Sequence, residues 1–147
     1  MTDSLDRRLV AALCADGRAD VRSLAAETDT AATTVQDRLR ALEDNGVITG
    51  YTARLDYDRL GYETAIFQLS VDQQDVDDVA TRLRERPEFV TVYETSGRHT
   101  VVAVGKFGDE NAIGSCLQEL HADAAIRAVD IARADVVSEA NCPLAPE

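Results

Sequence analysis

A two-part α+β chain is what the sequence predicts, and three observations predict it. Through residue 45, apolar residues recur at helical spacing. From about residue 64 the pattern becomes alternation, interrupted by two further helical stretches. Between the two regimes lies a polar stretch, Asp56 to Gly61, that ends in a turn glycine. The expected divisions are 1–50, a strand and hinge over 51–61, a second domain over 62–140, and a tail over 141–147.

In the first part, Asp3 or Ser4 can cap a helix whose Leu5, Leu9, Ala12 and Leu13 form one apolar stripe. Asp16-Gly17 ends it. Asp20 can cap a short second helix with Val21, Leu24 and Ala25 facing inward, and Thr28-Asp29-Thr30 forms a turn. A third helix is expected from about Ala31 to Asn45, with Val35, Leu39 and Leu42 on one face and Asn45-Gly46 as a left-handed exit. Val47 to Leu55 alternates and reads as a strand.

The second part opens with a strand, Ala65, Phe67, Leu69 and Val71 alternating with Thr64, Gln68 and Ser70. Val76, Val79, Ala80 and Leu83 then mark a helix that stops before Pro87. Strands follow over 89–95 and 100–107, joined by the turn Ser96-Gly97-Arg98-His99. Ile113, Cys116, Leu117 and Leu120 mark another helix, and 126–137 a last strand. The order βαββαβ is that of a ferredoxin-like sheet with both helices on one face. Apolar residues on the other face would need a partner, which points to a dimer or larger assembly.

Three short helices with a tight turn between the last two are the plan of a helix-turn-helix DNA reader. At about 100° per residue, Thr33, Asp37 and Arg40 lie nearly opposite the apolar stripe of the third helix, flanked by Thr34, Gln36 and Arg38. Hydroxyls, an amide and guanidinium groups are donors that reach base edges and phosphates. An ordinary solvated helix face would show the same pattern, so spacing alone leaves both readings open.

Charge does not decide between them. The net charge is −12, with Lys106 the single lysine and Asp the commoner acid. Residues 1–60 hold 11 acids and 8 bases, residues 61–147 hold 16 and 7, so the first part is the better candidate for a polyanion partner. Such an acidic, arginine-based surface resembles that of proteins from salt-loving organisms, where salt screens the repulsion. No apolar run approaches the roughly 18 residues of a membrane span, and the first residues lack a signal peptide's pattern, so a cytoplasmic protein is expected.

Cys14, Cys116 and Cys142 are widely spaced, with no C-x-x-C pair. Cys14 and Cys116 sit in helical patterns and are expected as buried thiols. Cys116, His121, His99 and Cys142 make no compact metal-ligand cluster. His121 suits the end of a helix and His99 a turn. No nucleophile–base constellation and no phosphate-cradling glycine loop appears, so neither metal, cofactor nor catalytic residue is expected.

Laid out in order, the chain resembles the leucine-responsive regulatory protein/AsnC (Lrp/AsnC, feast/famine) transcription regulators. The resemblance rests on Leu5-Asp6 with Leu9 and Leu13, Asp16-Gly17-Arg18, Leu24-Ala25, and above all TTVQDRLRALEDNGVITGY from Thr33 to Tyr51. Leu60-Gly61-Tyr62 then matches the hinge, and Pro87-Glu88-Phe89-Val90 with Thr95-Ser96-Gly97 the turn between the second and third strands. It implies a winged or plain helix-turn-helix over the first part, its third helix docking in the major groove of double-stranded DNA through Thr33, Thr34, Gln36, Asp37, Arg38 and Arg40. It implies that the second part is the family's effector-binding domain, often called RAM, which forms dimers and often octamers. A small effector, an amino acid or an oxo-acid, would lie against Ser96, Gly97, Arg98, His99 and Thr100.

Some positions depart from the family. Ala31-Ala32 stands where a polar cap and proline are common, which shifts the expected cap to Thr30. Thr100 replaces an aspartate that could pair with an ammonium, and Ala132 and Ala134 replace small hydroxyl residues of the last strand. Gly97 is expected to allow close backbone approach, and Arg98 to meet a carboxylate. A rival reading comes from proteins of the same architecture that decarboxylate a tetrapyrrole (siroheme) and do not bind DNA. They use His, Tyr and Arg, for which Tyr93, Arg98 and His99 would stand here.

Overall fold

The computed structural model describes residues 4–144, so a cap at Asp3 lies outside the described residues. The chain forms two compact units. One runs through Leu55 and takes the chain back from Ser138 onward; the other is Asp56–Val137. No helix of the described residues is long and apolar enough to cross a membrane.

The first unit holds α1 (Ser4–Ala15), α2 (Val21–Thr28) and α3 (Ala32–Asp44). Leu9, Leu24 and Val35, one from each helix, meet at its centre, with Leu5, Leu13, Val21, Ala25 and Leu39 packed around them. Asp20 caps α2 as expected, accepting from the Ser23 amide at 2.8 Å. The turn after α2 puts Asp29 in the left-handed region at φ 51°. There the Thr30 amide donates to Ala25 O and the Asp29 amide to Ala26 O, closing a Schellman turn. The exit of α3 is the same device with glycine: Gly46 has φ 77°, and the Val47 and Gly46 amides donate to Leu42 O and Glu43 O.

Three expectations for this unit are corrected. Thr30 does not cap α3. Its hydroxyl donates backward to Thr28 O at 3.0 Å, and the N-cap is Ala31 with no side-chain cap. Residues 47–55 form no strand, because no described segment offers them a ladder. The segment instead starts folded back on α3, with both Val47 and Ile48 amides on Leu42 O, and Tyr51 donates to Glu43 Oε2 at 3.0 Å. Cys14 is exposed while Cys116 is buried. Cys14 lies five residues beyond Leu9, which at about 100° per residue turns it far from the stripe.

The second unit is β1 (Glu63–Val71), a 3₁₀ turn (Gln73–Asp75), α4 (Val76–Arg84), β2 (Phe89–Glu94), β3 (Val101–Phe107), α5 (Glu110–His121) and β4 (Ile126–Ala134). The sheet order is β2-β3-β1-β4, every neighbour antiparallel. This is the ferredoxin-like arrangement that the βαββαβ order predicts. Asp109 caps α5 through the Ala112 amide at 2.8 Å. β4 stops at Ala134, short of the expected 137, because Ala134 pairs with Thr64 at the start of β1 and no ladder continues beyond.

Alternation sends Ala65, Phe67, Leu69, Val71, Val101, Ala103 and Phe107 to one face. There they pack against Val76, Val79 and Leu83 of α4 and Ile113, Cys116 and Leu120 of α5. The opposite face carries Ile66, Val102 and Val104, half-buried, and Tyr93, 57% exposed. It also carries Lys106, which is buried and donates to Thr64 Oγ1 at 2.8 Å. Its ammonium lies 5.1 Å from the centre of the Tyr57 ring, a cation–π contact from the hinge. The hinge turns at Gly61, φ 84°, where the Tyr62 amide closes on Tyr57 O at 2.9 Å.

Candidate nucleic-acid interface and effector turn

In α3, Val35 and Leu42 are buried and Leu39 half-buried, which fixes the rotation of the helix. Thr33, Thr34, Gln36, Asp37 and Arg40 are consequently all exposed. Five of the six residues named from the sequence thus share one open face, with the hydroxyl, amide, carboxylate and guanidinium groups that direct base readout uses.

Arg38 has a different part. Its Nε donates to Asp6 Oδ1 at 2.8 Å and its Nη2 to Asp6 Oδ2 at 2.6 Å, a two-pronged clasp between α1 and α3. Asp6 is only 3% exposed, and the Arg38 hydrogen bond holds its carboxyl below the usual carboxylate range against the opposing effect of burial. Beside it, Arg8 Nη1 donates to Thr28 O at the end of α2, at 3.2 Å. Two polar ties from one stretch of α1 therefore hold α2 and α3. In the sequence Asp6 stands out only beside Leu5 as a mark of the family, and its pairing with Arg38 goes unread. The signal was present: a carboxylate three residues before Leu9 falls on the apolar stripe, where it needs a partner.

The turn after β2 closes when the Thr95 amide donates to Thr100 O at 2.9 Å and the Thr95 hydroxyl to His99 O. Thr100 is anchored to the end of β1. Its amide donates to Leu69 O at 2.9 Å, and its hydroxyl accepts from the Val71 amide at 2.9 Å while lying 3.2 Å from Val71 O. That hydroxyl ties the start of β3 to the end of β1. His99 Nε2 lies 3.5 Å from Asp130 Oδ2 on β4, and its buried Nδ1 has no hydrogen-bond partner among the described residues. Ser96, Gly97 and Arg98 are exposed. Gly97 is not in the left-handed region, and a Cβ there would meet nothing within 4 Å. Nothing inside the described chain therefore requires glycine at this position.

Comparison with known proteins agrees with this architecture. A family described as winged helix-turn-helix DNA-binding matches residues 2–49, and the Lrp/AsnC ligand binding domain matches residues 64–134. An uncharacterized HTH-type transcriptional regulator of Pyrococcus furiosus is 36% identical over 107 residues, covering 71% of this chain and 72% of its own. The Mycobacterium tuberculosis regulator LrpA is 32% identical over 127 residues, 85% of each chain. A crystal structure of M. tuberculosis LrpA superposes with TM-score 0.86 at 28% identity, covering 97% of this chain and 99% of its own. A Neisseria meningitidis transcriptional regulator solved as an L-Met complex shares the fold, with TM-score 0.80 at 22% identity, covering 95% of this chain and 92% of its own.

Proposed function

The chain belongs to the Lrp/AsnC family of HTH-type transcriptional regulators, and from that premise we propose how it reads DNA. Helix α3 enters the major groove with Thr33, Thr34, Gln36, Asp37 and Arg40, while the Asp6–Arg38 clasp sets its orientation. The observation that carries this is the exposure of all five residues opposite buried Val35 and Leu42. Arg40 suits a guanine edge and Gln36 an adenine. Asp37 repels phosphate, so its part is to accept from a cytosine amino group or to orient Arg40.

Net acidity does not forbid this, because the field that matters is local. It does weaken steering, and in concentrated salt counterion release contributes little affinity. Paired readers would have to supply the rest by avidity. The half-buried apolar face of Ile66, Val102 and Val104 favours a homodimer, with octamers as the larger assembly. Light scattering that returned the 15.9 kDa monomer mass would rule this out. Two symmetric readers would require half-sites separated by whole turns of DNA.

Sites selected from genomic fragments supply the operator for the decisive measurement. Arg40→Ala should lose about 1–3 kcal/mol of specific binding and relax specificity at one base position. Gln36→Ala should do so at another position, with both folds intact. Unchanged affinity in both variants at matched salt would remove α3 from the reading role.

The turn at Ser96, Gly97, Arg98 and His99 is proposed as the effector site. Arg98 would meet a carboxylate, and the unpartnered His99 Nδ1 would meet a polar group. With Thr100 committed to β1, no carboxylate from that position meets an ammonium, so an oxo-acid, a dicarboxylate or a weakly held amino acid fits better than a basic one. A calorimetric screen should find such a ligand and lose it in Arg98→Ala. A lysine- or arginine-specific response that survives Arg98→Ala would reverse the assignment.

We propose no enzyme activity. The tetrapyrrole alternative has no support in the relatives, which are named as regulators. A cytoplasmic location follows from the same reading.

A further inference from the structure

Two of the three cysteines come from opposite ends of the chain and meet in the first unit. Cys14 stands exposed near the end of α1, and Cys142 is half-buried in the returning tail. Both line one cleft with Leu13, Ile48, Tyr51 and Arg54, and their side chains hydrogen-bond to each other. The tail is brought there by two further features. Arg54 Nη1 reaches Ala140 O at 3.5 Å, and Ala140 takes the left-handed region at φ 61°, where residues other than glycine are uncommon.

We infer that Cys14 and Cys142 are an oxidation site: with a peroxide as oxidant they form a reversible intramolecular disulfide that fastens the C-terminal tail to helix α1. This goes beyond the DNA-binding reading and holds independently of it.

The chemistry is the same whichever of the two sulfurs reacts first. The contact with Cys142 pushes the Cys14 thiol up, burial adds to this, and the charge of Arg54 opposes it. One thiol gives up its proton, and its thiolate attacks one oxygen of hydrogen peroxide. The O–O bond breaks, hydroxide leaves and takes up the proton as water, and that cysteine becomes a sulfenic acid. The sulfur of the second cysteine then attacks the sulfenic sulfur. The S–O bond breaks, and the hydroxyl leaves with the second thiol's proton as a second water. Two thiols and one hydrogen peroxide give one disulfide and two waters, and a dithiol reductant reverses the change.

Cys116 is excluded from this chemistry. It is buried in the second unit's core, and burial pushes its thiol up. The oxidised bond would close a covalent loop containing the whole of the second unit and both of its connections to the first. Cys14 is exposed and Cys142 half-buried, so the bond would be open to oxidant and reductant from the Cys14 side.

Trypsin separates the three cysteines cleanly. Cys14 falls in peptide 9–18, Cys116 in 107–127 and Cys142 in 134–147. The test is to treat the intact protein with hydrogen peroxide, block remaining thiols under denaturing conditions, digest and weigh the peptides. Expected is a species joining 9–18 to 134–147, two hydrogens lighter than their sum, with 107–127 alkylated. It should disappear after dithiothreitol. The oxidised protein should remain one chain on a non-reducing gel and unfold at a temperature several degrees higher, a shift absent in Cys14→Ser. Peptides 9–18 and 134–147 alkylated separately after peroxide would overturn the proposal. So would a cross-link that uses Cys116 or joins two copies of the chain.

Discussion

Asp6→Ala is expected to cost the first unit about 3 kcal/mol. This is the lower end of the range for leaving one member of a buried ion pair alone. The lower end applies because the Arg38 side chain is 39% exposed and keeps some water, whereas that of Asp6 is 4% exposed. The three helices have a small core centred on Leu9, Leu24 and Val35. Domains of this size bury a modest fraction of their surface and have little stability to spare. Amide hydrogen exchange followed peptide by peptide should show α1, α2 and α3 losing protection while β1 to β4 keep theirs. Operator binding should fall with it, although Asp6 is no part of the reading face. Arg38→Met separates the clasp from the charge. A residue of similar length that covers Asp6 but cannot donate to it should be nearly as damaging, because the carboxylate is left buried without a partner. Full protection of α3 in both variants would show that the clasp does not hold the helix.

The same pair sets a pH dependence whose sign is fixed. Asp6 has its carboxyl held below the usual range by Arg38, so the folded state favours the charged form more than the unfolded chain does. The stabilisation is fully present above the unfolded value of about 3.9 and is lost as pH falls through the lower folded value. Asp6→Asn removes the charge at every pH. The stability difference between wild type and Asp6→Asn should be constant near neutrality and shrink only below about pH 4. A gap that closed between pH 6 and 8 would point to a histidine instead.

Much of this arrangement is legible in the sequence, and what is not has physical reasons. Period 3.6 and period 2 are local properties, so spacing alone assigns Leu9, Val35, Phe67 and Val101 to their faces. The helix ends are legible where the stop is chemical: Asp20 as a cap and Gly46 as a left-handed exit are one-residue devices. Strand pairing is not local. Residues 47–55 alternate as a strand should, but alternation says only which face a strand would present, not that a partner exists. The clasp is hidden for a related reason. Spacing puts Arg38 at the border between stripe and solvent, where it reads as part of the DNA-facing surface. Its side chain goes inward because Asp6, 32 residues earlier in the chain, lies within reach only once α1 and α3 have packed. The bonds of the Thr100 hydroxyl to the end of β1 are equally hidden, because Val71 comes 29 residues earlier in the chain. Lys106 shows the same limit, since nothing around it in the chain announces that Thr64 and the Tyr57 ring will bury it.

Phe67→Ala should cost the second unit about 3–5 kcal/mol, the usual loss for removing a large aromatic side chain from a core. Phe67 is fully buried and meets the ring of Phe89 edge-on at 5.4 Å and that of Phe107 at 5.8 Å. The opposite fault can be made in the same cluster. Gly105 sits on the core face of β3, and a Cβ added there would stand 2.4 Å from Phe107 Cε2 and 3.3 Å from Phe89 Cδ1. Its backbone is not in the left-handed region, so what requires glycine is the space the rings occupy rather than φ. Gly105→Ala should therefore cost about 1–3 kcal/mol through overpacking. The two faults differ in how they are relieved. Phe107→Leu removes ring atoms that the new Cβ would strike. In the Gly105→Ala background it should cost less than it does alone, a favourable coupling of about 0.5–3 kcal/mol for residues in contact. Phe67→Ala should show a smaller coupling with Gly105→Ala, because the atoms nearest the new Cβ belong to Phe107 and Phe89. Denaturant midpoints of the single and double variants measure both quantities. Strict additivity for the Phe107 pair would mean that the rings shift without cost and that glycine at 105 is not set by the aromatic cluster.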